Sequence, residues 1–384
     1  MILSGLNSRL LSQLLGVLLG SLVSAQQISN VLPRRDTAGD IVNAHDGQIV
    51  HENGTYYWFA AGYAACKEQP GLHGCAGCAG VPIGPACGCG FEHETAVNLY
   101  TSTDLVSWTS HGNVLQMEGR PPKTSLFSPR AIFNQRTGKW VLWYNFVPNY
   151  SYAVATSVKP TGPFVTVDTQ AGTSFKFGNP GVCSNYGQRN NSCLGDFSLF
   201  KDNDGVAYML YSHDPAPISG GGLGKLSVAR LSDDFLSSSW DAHAKSGEQV
   251  LSLSGFEAPA MFKKGSYYYA LTSAACCYCG QGGEVYVHRA SSPLGPYEAQ
   301  KTLISFGNGS LHTQGQQTTV TTLPDGQLIW QGDRWQSAPD RLKAHDFQFW
   351  YPLEFTADGM VMPMQWIDEF TLRPSRTHDV MNGE

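Results

Sequence analysis

The run Asp46-Gly47-Gln48-Ile49-Val50-His51-Glu52-Asn53-Gly54-Thr55-Tyr56-Tyr57-Trp58-Phe59 has the form of a β-hairpin. A polar residue opens a short apolar strand, Asn53-Gly54 supplies the tight turn, and β-branched and aromatic residues form the return strand. The same sentence is written four more times. Ser128-Pro129-Arg130-Ala131-Ile132-Phe133 turns at Gly138 into Lys139-Trp140-Val141-Leu142-Trp143-Tyr144. Asp196-Phe197-Ser198-Leu199-Phe200 turns at Asn203-Asp204-Gly205 into Val206 to Tyr211. Glu257-Ala258-Pro259-Ala260-Met261-Phe262 turns at Gly265 into Ser266 to Leu271, and Gln316-Gln317-Thr318-Thr319-Val320 turns at Pro324-Asp325-Gly326 into Gln327 to Trp330.

A third strand follows each hairpin and ends on a polar turn, as in Asn98 to Ser102, Tyr152 to Ser157, Leu226 to Arg230 and Val285 to Arg289. Helical periodicity is almost absent beyond the first residues. A unit of about sixty residues repeated five times predicts an all-β protein, a five-bladed β-propeller of four-stranded antiparallel blades. A sandwich of many hairpins would explain the strands but not the fivefold register.

In a propeller the first strand of each blade lines the central channel. Asp46, Ser128, Asp196, Glu257 and Gln316 lie eight to ten residues before their turn glycines, so they are expected as one ring at one mouth. Carboxyl groups crowded into one cavity repel, and at least one should hold its proton at a raised pH. An acid and a base of the same residue type are what glycoside hydrolysis needs: one carboxyl protonates the leaving oxygen while the other activates water or attacks carbon. A structural calcium site, or a sugar-binding pit without turnover, would use the same ring. Tyr63, Tyr150, Trp335 and Trp350 are candidates to stack on sugar faces, and packing between blades is the other use for each.

The chain ends suggest a destination. Arg9 precedes the apolar run Leu14 to Leu19, and Val23-Ser24-Ala25 suits signal peptidase, so residues 1–25 are expected to be a signal peptide and 26–384 a single secreted propeller domain. The apolar run is too short for a bilayer. All ten cysteines lie beyond that cut, five of them between Cys66 and Cys89 in an insertion within blade one. An even number in an oxidising compartment points to disulfides. Cys75-x-x-Cys78 has zinc-like spacing, but Cys87-x-Cys89 does not match it. Sequons stand at Asn53, Asn149, Asn190 and Asn308. A net charge of −6 with 15% charged residues argues against nucleic-acid and anionic-membrane partners. No cofactor is expected and no metal-ligand pattern is required; the expected partner is an oligo- or polysaccharide, and the expected state is a monomer.

The ordered set Asp46-Gly47-Gln48-Ile49-Val50, Asp196-Phe197-Ser198-Leu199-Phe200 and Glu257-Ala258-Pro259 resembles glycoside hydrolase family 43, most of all its exo-β-1,3-galactanase branch. Ala44-His45, Ala131 to Gln135, Gly332-Asp333-Arg334-Trp335 and Trp350 to Phe355 extend the likeness from about Asp36 to Leu372. The resemblance implies an inverting glycosidase with Glu257 as general acid and Asp196 as the residue that tunes it. Asp46 falls where most of the family keeps its base. Gln316 falls where the galactanase branch uses a glutamine, with Gln317 as a near neighbour. A neutral amide is a poor proton acceptor, so Asp46 is the better base on chemical grounds. Tyr150, Asp333 and Trp335 are the expected substrate-binding residues. Two acids of the galactanase branch are absent, in Phe127-Ser128-Pro129-Arg130 and in Ala60-Ala61-Gly62. An α-L-arabinofuranosidase or β-xylosidase of the same family, and a propeller that binds sugar without turnover, are the alternatives.

Overall fold

The computed structural model describes residues 26–67, 95–116, 125–147, 151–168, 194–213, 225–237, 256–274, 278, 280, 282–300, 303–304, 306 and 312–372. The expected signal peptide, nearly all of the cysteine-rich insertion, the sequons at Asn149, Asn190 and Asn308, and Tyr150 lie outside the described residues.

A short strand β1 (Gln27–Ser29) precedes five antiparallel sheets. Blade one is β2 (His45–Glu52), β3 (Thr55–Gly62), β4 (Ala96–Ser102) and β5 (Thr109–Asn113). Blade two is β6 (Ser125–Asn134), β7 (Lys139–Val147), β8 (Ser151–Ser157) and β9 (Val165–Asp168). Blade three is β10 (Leu194–Lys201), β11 (Ala207–His213) and β12 (Lys225–Arg230). Blade four is β13 (Phe256–Lys264), β14 (Tyr267–Ala274), β15 (Glu284–Ala290) and β16 (Glu298–Ala299). Blade five is β17 (Gln316–Thr322), β18 (Leu328–Arg334) and β19 (Phe347–Pro352). Among the described residues, blades three and five therefore carry three strands where the repeat predicts four.

The first hairpin forms as its sequence directs. Asn53 and Gly54 both take positive φ (50° and 78°), the geometry that matches the twist of the flanking strands. The inner strands β2, β6, β10, β13 and β17 follow one another around an axis, and β17 returns to lie against β2. This closed ring is the expected five-bladed propeller.

Five apolar clusters fill the five spaces between blades. Phe59, Leu99, Trp140 and Phe164 join blades one and two; Trp143, Tyr152, Phe197 and Met209 join two and three. Leu210, Leu226, Met261 and Tyr268 join three and four, and Phe262, Leu271, Trp330 and Phe349 join four and five. Trp58, Trp108, Ile329 and Trp350 close blade five on blade one. These aromatics alternate along their strands because each blade buries both faces against neighbours. Burying one such ring stabilises the fold by about 1.5–3 kcal/mol.

A second clasp holds the ring shut. β1 pairs with β20 (Glu369–Thr371), Gln27 opposite Thr371. Fully buried Asn30 accepts from the Trp350 amide at 2.9 Å and donates to the Trp350 and Ile367 carbonyls at 2.9 and 3.1 Å. The first described strand is thereby stitched to the last blade.

Candidate active site

Every inner strand breaks its ladder at the same level. Pairing skips between His45 and Gln48, Phe127 and Arg130, Leu194 and Phe197, Glu257 and Ala260, and Gln317 and Thr319. A bulge frees backbone groups and re-aims side chains, and it is common beside active sites. Asp46, Ser128 and Ala258, the first skipped residues of their bulges, take left-handed φ of 46°, 50° and 47°. Such conformations cost energy in a non-glycine residue and persist only where surrounding bonds enforce them.

This register corrects the single ring expected from the sequence. Counted from the residue that resumes pairing, Asp46 and Ser128 stand two before, Asp196 one before, and Glu257 and Gln316 three before. The polar groups meet because the bulges turn three successive positions toward one mouth, not because they share one position.

Asp46 is held from three sides. Its Oδ2 accepts from the Ser128 amide at 2.7 Å and the Ser128 hydroxyl at 2.8 Å. Arg130 brings Nη2 to 3.5 Å from Oδ1 and donates through Nη1 to the Asp46 carbonyl at 2.7 Å. The Asp46 amide donates to Asp333 Oδ2 at 2.7 Å. Arg130 also donates to the Thr318 carbonyl at 3.0 Å, so one buried cation ties blades one, two and five across the channel. Burial outweighs that cation and pushes the Asp46 carboxyl up to about 7, with the charges of Asp196 and Asp333 adding to the rise. Its side chain still keeps 24% of its surface open, enough to meet water.

Asp196 Oδ2 accepts from the Ala258 amide at 3.0 Å, and Gln317 Nε2 donates to the Ala258 carbonyl at 2.6 Å. Both ends of this left-handed residue are thus clamped, which fixes its neighbour Glu257. Trp330 in turn donates to Gln317 Oε1 at 2.9 Å. Gln317 is fully committed to structure. Burial raises the Asp196 carboxyl, against the Ala258 amide and Arg130, which lower it. Glu257 is pushed well above the usual carboxylate range by burial first and then by the charges of Asp196 and Asp46. Among the described residues, the site therefore holds one carboxyl beside a cation and two donors, and another with no cation to favour its ionised form.

Gln316 reaches this pair. Its Oε1 accepts from Trp335 Nε1 at 2.7 Å and from the Tyr278 amide at 2.9 Å, and its Nε2 stands 3.4 Å from Glu257 Oε1.

The expected aromatic platform is corrected. Trp335 is only 3% exposed: one ring neighbour is His45 at 5.4 Å, the Lys343 ammonium lies 4.2 Å from its centre, and Tyr278 meets it edge-on. Tyr63 is stacked on His45 at 4.9 Å, and Trp350 packs under the Arg34 guanidinium and against Trp58. Their faces are occupied, so none is free for a sugar. Asp333 is buried at 2% and serves Asp46 instead of substrate, with His45 Nδ1 3.7 Å from its other oxygen. Ser128, expected in the ring, serves it as a donor to Asp46, whereas Arg130 is a functional residue absent from that expectation; the available signal for it was a charged residue inside an otherwise apolar inner strand. Among the described residues no cluster of His, Cys, Asp and Glu is arranged to hold a metal.

The comparisons with known proteins agree with this geometry. The model of glycosyl hydrolases family 43 matches residues 40–361. The chain belongs to this family. It is a glycoside hydrolase. A β-D-galactofuranosidase, XynD of Aspergillus niger, is 25% identical over 264 residues, covering 64% of this chain and 67% of that protein. A family 43 β-1,3-galactosidase solved with galactodeoxynojirimycin is 25% identical, with a TM-score of 0.64 over 90% of this chain and all of that one. The exo-β-1,3-galactanase of Phanerochaete chrysosporium, solved with β-1,3-galactotriose, shares the fold at 23% identity and a TM-score of 0.64, covering 91% of this chain and 68% of that one.

Proposed function

We propose that this glycosidase is a secreted, inverting, exo-acting enzyme that releases galactose from β-1,3-linked galactan. The observation that carries the mechanism is the unequal surroundings of two neighbouring carboxyls. Glu257 has burial and two nearby aspartates to keep its proton, so it serves as general acid toward the leaving oxygen. Asp46 has Arg130 and Ser128 to support its ionised form and solvent at its edge, so it takes the proton of the attacking water. Asp196 orients the acid through the Ala258 peptide. Gln316 presents no free acceptor, which favours Asp46 over the amide as base. Glu257 ends a turnover ionised and Asp46 protonated, and exchange with solvent resets both.

The galactan reading is supported by the β-1,3-galactosidase neighbour. A second reading, hydrolysis of β-galactofuranosides, is favoured by the Aspergillus niger relative. Secretion is supported by the leader-like residues 1–25, by exposed Asn53 in its sequon, and by Cys66, which is disulfide-bonded.

The test is product analysis by anomeric NMR on β-1,3-galactan, galactofuranoside, arabinan and xylan oligosaccharides, with Glu257→Gln beside the native protein. Galactose released first as the α-anomer is the expected outcome. The variant should lose about a hundredfold or more on these natural linkages while still binding sugar. Unchanged activity of Glu257→Gln, or a first-formed β-anomer, would refute the assignment.

A further inference from the structure

The residue behind Glu257 has a fixed polarity. A glutamine side chain can usually be turned over, but Gln316 cannot, because two N–H groups point at one end of its amide. Trp335 Nε1 and the Tyr278 backbone amide are donors only, at 2.7 and 2.9 Å, so the end they face must be the oxygen. The NH2 end is thereby left facing Glu257 Oε1 at 3.4 Å. A donor there requires an acceptor. In the protonated acid, the oxygen that meets the amide is the carbonyl oxygen, and the hydroxyl is the other one.

The clamp that fixes Gln316 is itself fixed. Trp335 packs between the His45 ring and the Lys343 ammonium, 4.2 Å from its centre. Lys343 is fully buried, pairs with buried Asp346 at 3.1 Å, and is held through its backbone amide by the Cys66 carbonyl. Asp346 in turn accepts from the Gln336 and Ala338 amides at 3.0 Å each. An ammonium over an indole face is attracted to the ring, most strongly where water is excluded. It restrains the plane of the ring, and so the direction of its N–H.

We propose that Gln316 is a positioning residue for the general acid: held by Trp335 and, behind it, Lys343, it donates to Glu257 Oε1 and so keeps the catalytic proton on Oε2. This rests on Glu257 being the acid. Proton delivery then breaks the Oε2–H bond as the glycosidic oxygen takes the proton and leaves as an alcohol, and the charge remaining on Glu257 is shared with the Gln316 amide. The geometry gives Gln316 a role at the acid rather than at the water.

The experiment compares two substrates, a galactose disaccharide, whose departing alcohol needs a proton, and an aryl galactoside, whose departing phenolate hardly does. Trp335→Phe keeps a ring between His45 and Lys343 but removes the N–H. Gln316→Glu keeps shape and the acceptor for Trp335, but puts a carboxylate oxygen where the donor was. Each should lower kcat on the disaccharide by about tenfold or more relative to kcat on the aryl glycoside, with KM little changed. Gln316→Glu should also move the alkaline limb of the pH profile upward, because a second charge faces Glu257. Glu257→Gln, measured alongside, must give the largest such ratio. If Glu257→Gln affects both substrates alike, the acid assignment itself falls. If it discriminates but Trp335→Phe and Gln316→Glu slow both substrates equally, or neither, the positioning role is overturned alone.

Discussion

Ser128→Ala removes one hydrogen bond from Asp46 Oδ2 and leaves the other. The hydroxyl at 2.8 Å is lost, while the Ser128 amide at 2.7 Å and the Arg130 guanidinium at 3.5 Å from the second oxygen remain. Alanine bears the left-handed φ of 50° no worse than serine does, so the backbone need not move. A hydrogen bond to a charged group contributes about 1.5–3 kcal/mol, and one pKa unit is about 1.36 kcal/mol. Because the lost donor favours only the ionised form, the Asp46 pKa should rise, by about one to two units, the lower figure if water enters the space. The base must be ionised to work. The acid limb of kcat/KM, set near pH 7 by Asp46, should therefore move upward by that amount. Below the limb the variant should be about tenfold or more slower than the native enzyme, and the two should converge above it.

The assay is a pH profile of kcat/KM with Ser128→Gly beside Ser128→Ala. Glycine loses the same hydroxyl but relaxes the left-handed backbone. Both variants should show the same shifted limb, with the glycine variant the more heat-stable. A uniform drop across the profile with an unmoved limb would refute the reasoning, since it would mean that Ser128 acts on substrate rather than on the base.

Two further outcomes test the strain stored here. Asp46→Asn should stabilise the fold. The carboxyl is raised from 3.8 to about 7, so above pH 7 the native state carries the full cost of a buried charge; that cost declines as pH falls from about 7 to about 4, where the unfolded chain also becomes protonated. The variant should gain a few kcal/mol at pH 8 and nothing near pH 3.5, read from denaturation midpoints at both; equal gains at the two would exclude this linkage. Gly47→Ala should destabilise by about 1–3 kcal/mol: its Cβ would lie 2.4 Å from the Phe59 carbonyl oxygen and 2.7 Å from Ala60 Cβ at the first bulge. Thermal unfolding followed by circular dichroism checks it, and an unchanged midpoint would mean that the bulge is not tightly packed.

The five blades were legible because each hairpin is specified locally. Asn53-Gly54 fixes a turn, and Trp58, Trp140 and Tyr208 each follow their turn glycine by two to four residues, so the pattern needs no tertiary knowledge. The aromatic wall was misjudged for the opposite reason. Whether a tryptophan shows a face to a ligand depends on what lies against it, and His45 and Lys343 reach Trp335 from elements far from it in the chain or across a turn. Asp333 looked like a substrate residue from its stretch; only the pairing of blades one and five turns its Oδ2 to the Asp46 amide. Arg130 was invisible as a partner of Asp46 because 84 positions separate them.

The offset of the acids follows from the same limit and bears on mechanism. Distance to the turn glycine sees the far end of each inner strand, but a bulge adds a residue that counting cannot detect. Asp46 falls on the first bulged position, so its own amide is released toward Asp333 and its carboxyl toward Ser128 and Arg130. Glu257 falls just before the bulge, where its backbone pairs with Ser273 and its carboxyl meets only Gln316 among these donors. Had both acids stood at one position, their surroundings would have been alike and their protons shared. The unequal bulge positions give one carboxyl a cation and deny it to the other, and that inequality is what an acid and a base of the same chemistry require.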